Sequence, residues 1–286
     1  MSVYRHLWLG NRVGVKLRVG ALMVAVGLLA GCSLADDGGR DYNPAHQPKY
    51  ALPGDGPTPH PTWPGSGTGL GLPGVGQAAP SEPDHVIRGG AVRAGQPGAF
   101  DLVSGSDVVR VSLGDLGADL FEISTGADSK VVPSVEVKDS TVVASLKGTG
   151  LSGPALVTVV LSDDVRWQVR LSGGSSDEAV DLNGGPGGDV DLSGGTSRAQ
   201  VTLPAAPGTQ RVTVGGGAGL VDVRLGGSAP VRVATKDGAG DVSIDGQVNQ
   251  GVAGGSLFTP PGWDTATDRF DIDATSGVSS LTVIHG

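Results

Sequence analysis

Residues 165–246 contain Trp167-Gln168-Val169-Arg170-Leu171, Val180-Asp181-Leu182, Val190-Asp191-Leu192, Val201-Thr202-Leu203, Val212-Thr213-Val214, Val221-Asp222-Val223-Arg224-Leu225, Val231-Arg232-Val233 and Val242-Ser243-Ile244. Every segment alternates apolar and polar residues, the period of two that buries one face of a strand and wets the other. Glycine-rich turns close the segments. Taken alternately they form two series: Val169, Val190, Val212 and Val231 stand 21, 22 and 19 residues apart, and Val180, Val201, Val221 and Val242 stand 21, 20 and 21 apart. One period shared by two series predicts a coil of two strands and two turns, stacked so that each series makes a continuous inner face. The expected fold is all-β, a single-domain β-solenoid of stacked two-strand coils.

The 286 residues include 50 Gly and 19 Pro, and aromatics make up only 4%. Such a chain is rich in turns and linkers. Its core has to come from Val, Leu, Ile and Ala, which suits narrow coils. At the N-terminus Arg5, Arg12, Lys16 and Arg18 accompany an apolar run over residues 19–30, which leads into Leu29-Ala30-Gly31-Cys32. This is the layout of a secretory signal over residues 1–31, too short for a stable membrane span and too soon followed by polar sequence. Its last four residues resemble the lipobox of bacterial lipoproteins, in which the Cys thiol is diacylated and the chain is cut in front of it. On that resemblance Cys32, the sole Cys of the chain, is the lipidation site. Two acyl chains give stable anchoring where one does not, which places the protein at the cell membrane on its extracytoplasmic side. No thiol is then left for a disulfide.

Without residues 1–31 the chain has 16 Lys and Arg against 29 Asp and Glu, a net charge of −13. That charge argues against nucleic acid as a partner and against simple electrostatic adhesion to anionic lipid. Residues 32–84 read as a Pro- and Gly-rich tether: ten of the 19 prolines fall in residues 36–83, where apolar periodicity is almost absent, a composition that keeps a chain disordered and extended. The solenoid domain is expected over residues 85–286. Its first segments, 86–92, 108–113, 120–124, 131–137, 141–146 and 155–161, are β-branched or alternating, and Lys138-Asp139-Ser140 suggests a hairpin. Their spacing is less regular, which predicts an irregular β cap over the first coil. After Gly246 an apolar-poor stretch is expected to cross an edge as a loop. Trp263 would cover the last coil before residues 270–274 and 281–284 resume the alternation, and Trp167, in phase with Val169 and Leu171, would be core.

The turns carry a resemblance. Leu171-Ser172-Gly173-Gly174, Leu192-Ser193-Gly194-Gly195, Val201-Thr202-Leu203-Pro204 and Val212-Thr213-Val214-Gly215-Gly216-Gly217 form one succession. Gly240-Asp241-Val242-Ser243-Ile244-Asp245-Gly246 and Gly277-Val278-Ser279-Ser280-Leu281-Thr282-Val283 complete it. Over roughly residues 100–286 the chain resembles the bacterial "putative adhesin" or toast-rack β-solenoid family, which includes the C-terminal domains of Lia-type cell-envelope stress regulators. The resemblance implies an envelope-facing protein, often near a sensory system, with no established chemistry. The chain departs from the Lia type in its lipid anchor and its lack of transmembrane helices.

Chemistry is sparse. A nucleophilic site needs a base in reach of a Ser or Cys, and after the signal the chain offers His46, His60, His85 and His285 alone, without a Gly-x-Ser-x-Gly elbow. No cluster of His and Cys suggests zinc. Gly184-Gly185-Pro186-Gly187-Gly188-Asp189 matches the first six places of a calcium-binding nonapeptide, but Asp191 then stands where that repeat needs an apolar residue. Asp177, Glu178, Asp181, Asp189 and Asp191 form the densest acidic patch beside that turn. Arg170, Asp181, Asp191, Asp222, Arg224 and Arg232 alternate with buried residues and are expected to point outward as a solubilising face, although β-helix enzymes use such positions on glycans. The expected function is binding without catalysis, cofactor or metal. The partners are membrane lipid through Cys32 and an envelope protein or cell-wall polymer. An accessory regulator of an envelope-stress sensor and a glycan-active enzyme are the alternatives.

Overall fold

The computed structural model describes residues 84–91 and 95–286, all within one compact unit. The signal peptide, acylation site at Cys32 and tether expected from the sequence all lie outside the described residues.

Nineteen strands build two sheets that face each other. Seven coils each give one strand to either sheet. In chain order they are β2 (Gly98–Leu102) with β3 (Ser106–Gly114), β6 (Thr141–Gly148) with β7 (Leu156–Ser162), and β8 (Trp167–Leu171) with β9 (Ser175–Asp181). There follow β10 (Gly188–Leu192) with β11 (Thr196–Leu203), β12 (Thr209–Val214) with β13 (Ala218–Leu225), β14 (Val231–Thr235) with β15 (Ala239–Ile244), and β18 (Arg269–Ala274) with β19 (Val278–His285). The remaining strands are antiparallel covers. β1 (Val86–Gly89), β4 (Phe121–Thr125) and β5 (Val131–Lys138) close one end, and β16 (Gln247–Val252) and β17 (Ser256–Phe258) close the other.

The coils do not stack in chain order. One sheet runs β1-β4-β7-β3-β9-β11-β13-β19-β15-β16 and the other β17-β14-β18-β12-β10-β8-β2-β6-β5. The last coil of the chain, β18 with β19, is therefore inserted between its two predecessors. Val212 pairs with Ile272, which in turn pairs with Val233, so Val231 is not the neighbour of Val212 that even spacing suggests. In the other sheet Val201 pairs with Val223 rather than Val221, and Val223 pairs with Val283. Two further expectations change. The N-terminal region is less irregular than its spacing implies, because β2/β3 and β6/β7 are full coils in register with the rest. The stretch after Gly246 is not a plain loop, since it supplies both strands that cover the outermost coil, β14/β15.

The inner faces explain the sequence pattern. In β8 the order buried, exposed, buried, exposed, buried follows Trp167-Gln168-Val169-Arg170-Leu171 residue by residue. Phe100, Val169, Val190, Val212, Ile272 and Val233 form one buried row in their sheet, and Val111, Val180, Val201, Val223 and Val283 form one in the other. Strands of the second sheet share a kink: Ser176, Ser197, Gly219 and Ser279 are each skipped by the ladder, so two outward residues separate the first inward residue from the next. A bulge normally breaks register. Here β9, β11, β13 and β19 carry it at the same place, and register is kept.

Trp167 is the largest buried side chain, and its row has room for it only because its neighbours on either side are Gly98 and Gly188. A methyl at Gly98 would lie 2.7 Å from the indole, and one at Gly188 would fall onto the Trp167 carbonyl oxygen. The indole Nε1–H donates to the Ser162 carbonyl at 2.9 Å. The next residue of the row, Gln210, is fully buried and satisfied: its Oε1 accepts from the Gly188 N–H at 2.9 Å and its Nε2 donates to the Pro204 carbonyl at 3.2 Å. Overpacking at this row should be felt strongly. Gly188→Ala is expected to lower stability in denaturant unfolding by about 2–3 kcal/mol. Gly148→Ala, where nothing lies within 4 Å of the added methyl, should change it by less than about 0.5 kcal/mol, and equal effects would contradict this packing.

Candidate functional site

Many outward charges are paired with one another across adjacent strands. On the sheet containing β8, Arg170 meets Asp191 at 2.9 Å, Lys236 meets Asp273 at 2.9 Å, and Arg232 grips Asp271 through two bonds of 2.9 and 2.7 Å. On the opposite sheet Arg110 bonds Asp177 at 2.5 Å and Arg198 approaches Asp222 at 3.4 Å. Such ladders of exposed pairs hold the polar face in place and contribute little stability each.

The acidic patch does not converge. Asp177 and Asp181 lie on one sheet, Asp189 and Asp191 on the other, and Glu178 points into the core. Asp181 accepts from the Asn183 N–H, Asp189 from the Arg211 N–H, and Asp191 from Ser193 and Arg170. Among the described residues no three His, Cys, Asp or Glu side chains gather as a metal site would require.

By sequence, Glu178 belongs to that patch through its neighbours Asp177 and Asp181. Alternation in phase with buried Val180 places it instead in the inward row of Val109, Ala199, Val221 and Leu281. Ser175 donates to its Oε1 at 2.9 Å, while Oε2 has no partner. Burial pushes the carboxyl from its ordinary 4.5 up to about 7, with the Ser175 bond opposing and Asp177 reinforcing the shift.

The polar and apolar features that do converge lie at the C-terminal end of the stack. An inward row of leucines, Leu161, Leu113, Leu182, Leu203 and Leu225, ends in His285. β15 stops at Ile244, two residues short of that row, and the chain turns away through Asp245 and Gly246, both at positive φ as a tight hairpin turn requires. The missing rung leaves a groove of about 540 Å³ between the two covers. Val231, Ile244, Leu257 and Phe258 form its apolar wall, and Gln247 and Asn249 of β16 line it as well.

His285 closes the inner side of this groove. Its Nδ1 lies 2.9 Å from Asp245 Oδ2, and its Nε2 lies 3.0 Å from the Ala229 carbonyl. Desolvation raises the Asp245 carboxyl, but the His285 backbone N–H and ring outweigh it and hold the group below the ordinary range. A His beside a carboxylate invites comparison with a catalytic triad. The second nitrogen, however, meets a carbonyl oxygen and not a nucleophile. His285 is thus a pin that ties three chain turns together. Its phase, Leu281-Thr282-Val283-Ile284-His285, was visible in the sequence, yet a residue next to the chain end gave no reason to follow it. At the other end of the stack His85 bonds Thr125 at 3.0 Å. Trp263 is buried, donates to the Phe270 carbonyl at 2.8 Å, and lies beneath the guanidinium groups of Arg232 and Arg269 at 3.8 and 4.6 Å. It covers the last two coils from the side.

No protein-family model matches the chain, and no curated protein does. Among solved structures it is similar to a protein of Clostridium sporogenes named a "putative cell adhesion protein", with 15% identity, a TM-score of 0.51, and coverage of 70% of this chain and 99% of that one. The likeness is one of fold. Proteins named "putative adhesin" from Bacteroides fragilis and Parabacteroides distasonis align over 71% and 70% of this chain at 12% and 11% identity, with TM-scores of 0.19 and 0.20.

Glu178 sets a pH dependence. Between its unfolded value near 4.5 and its folded value of about 7 the native state holds a proton that the unfolded chain has released. Stability is therefore full below that window and declines as pH rises through it, by roughly 3 kcal/mol in all. Glu178→Gln should unfold at higher denaturant than the parent at pH 8 and close to it at pH 4. A parent curve that does not fall relative to the variant would contradict the buried carboxyl.

Proposed function

We propose that the protein is a lipid-anchored, extracytoplasmic binding module that acts without catalysis and engages its partner with the C-terminal end of the solenoid. The observation that carries this reading is the difference between the two ends. At the first end the edge strands are guarded: Arg88 of β1 is paired with Glu122, and β5 contains Pro133, Glu136 and Lys138. At the other end no residue between Asp245 and Asp264 is charged, Val248 and Leu257 are 59% and 60% exposed, and the groove opens beside them. Natural proteins blunt free sheet edges, and an edge left unguarded beside an apolar groove marks an interaction site.

An anchor at Cys32 leads into the solenoid through β1, at the guarded end. The unguarded end is the one remote from that point, which suits a surface meant to meet something beyond its own membrane. Likeness of fold to a chain named a putative cell adhesion protein supports the same reading, as does the division of the acidic patch between the two sheets and the core. The test is a photo-crosslinking residue placed at Leu257 or, for comparison, at Arg224 on a sheet face, in full-length protein and in Cys32→Ala. The expected result is membrane retention that depends on Cys32, and crosslinked products from Leu257 alone. Products from the sheet face with none from Leu257 would overturn the assignment.

A further inference from the structure

The partner at the C-terminal end is a second copy of the same chain: we propose that β16 pairs antiparallel with β16 of another molecule, joining two solenoids end to end. This rests on the reading of that end as the binding surface and names its occupant.

Among the described residues β16 has a hydrogen-bonded neighbour on one side only, so its other backbone edge is open there. Its sequence is Gln247-Val248-Asn249-Gln250-Gly251-Val252, and its residues are exposed except for partly buried Val252. An open edge specifies the chemistry of what covers it, namely another extended strand. A twofold axis then imposes a stricter condition, because each patch meets its own copy. In such a pair only the residue on the axis faces its own copy and the others face residues equally distant from it, so charges of one sign would be brought close together, whereas amides both donate and accept and can pair with one another. Gln247, Asn249 and Gln250 are the only side chains of β16 with hydrogen-bonding groups, and all are amides. Charge selects the same occupant. The chain after the signal has 16 cations against 29 anions, so two copies repel wherever those charges meet, and this end offers contact free of that repulsion.

Size sets the strength. Six residues extend about 20 Å, and two sheets about 10 Å apart with their side chains make an end face of roughly 400 Å² per copy, at the small end for protein contacts. Such a face supports weak, reversible association in solution, and stronger association when many copies are held on a membrane.

Sedimentation velocity on the chain from residue 32 with Cys32→Ser, in which no acyl group can drive association, provides the test. The expected result is a monomer–dimer equilibrium on the order of 100 µM. Val248→Lys and Val248→Glu should each lower the association constant at least tenfold, and mixing the two should restore a heterodimer. Gln250→Lys with Gln250→Glu gives a second such pair on the same strand. Lys138→Glu, at the guarded end, should leave the equilibrium unchanged, and circular dichroism checks that each variant is folded. A parent that stays monomeric to millimolar concentration, charged variants that still dimerise, or a mixture that fails to associate would overturn the proposal. In that case crosslinks from Leu257 to another macromolecule would leave the binding end standing with a different occupant, and the absence of such crosslinks would remove both.

Discussion

Everything in this protein depends on the parallel, in-register stacking of rows of apolar side chains between two sheets. A single coil of two short strands has too little apolar surface to offset the entropy of ordering it. Each coil is stable because its rows continue in the next. The cost of that arrangement falls at the ends, where a row has no continuation and a sheet has a bare edge. The antiparallel covers, the insertion of β18/β19 and the groove under His285 are all consequences of how this chain ends its rows.

The insertion gives the final coil a particular role. β14/β15 is laid down with its covers β16 and β17 before β18/β19 arrives, and it reaches β12/β13 only through that last segment. The outermost coil is thus held by the last residues of the chain, with His285 tying the turns that contain Asp245 and Ala229. Cross-strand ion pairs cover the flat faces, and the large buried residues fill the interior. What stays open to a partner is the end itself.

The solenoid was legible because period-two alternation and a shared spacing near twenty residues reflect one physical requirement, that every coil present the same inner face to its neighbours. The order of stacking was not. Residues 270–283 satisfy the same row requirement as residues 231–244, so alternation fits either coil equally well beside β12/β13. The inward turn of Glu178 was hidden for a different reason. Two residues before Val180, Glu178 is in phase with the buried positions by plain alternation, but an acid next to Asp177 and close to Asp181 reads as part of a charged surface. The groove was less legible still. It comes from a rung that is missing after Ile244, and from an uncharged stretch read as a loop because Gln, Asn and Gly have no strong strand preference. There the strand is imposed by the open edge of β15.

The most direct measurement is amide hydrogen exchange across β16 in the protein tethered to vesicles, compared at low and high surface density. Protection of Gln247–Val252 should rise with density while exchange in β1 and β5 stays constant, because only the unguarded end gains hydrogen bonds. Unchanged exchange in β16 at every density, or protection that rises equally at both ends, would contradict the account.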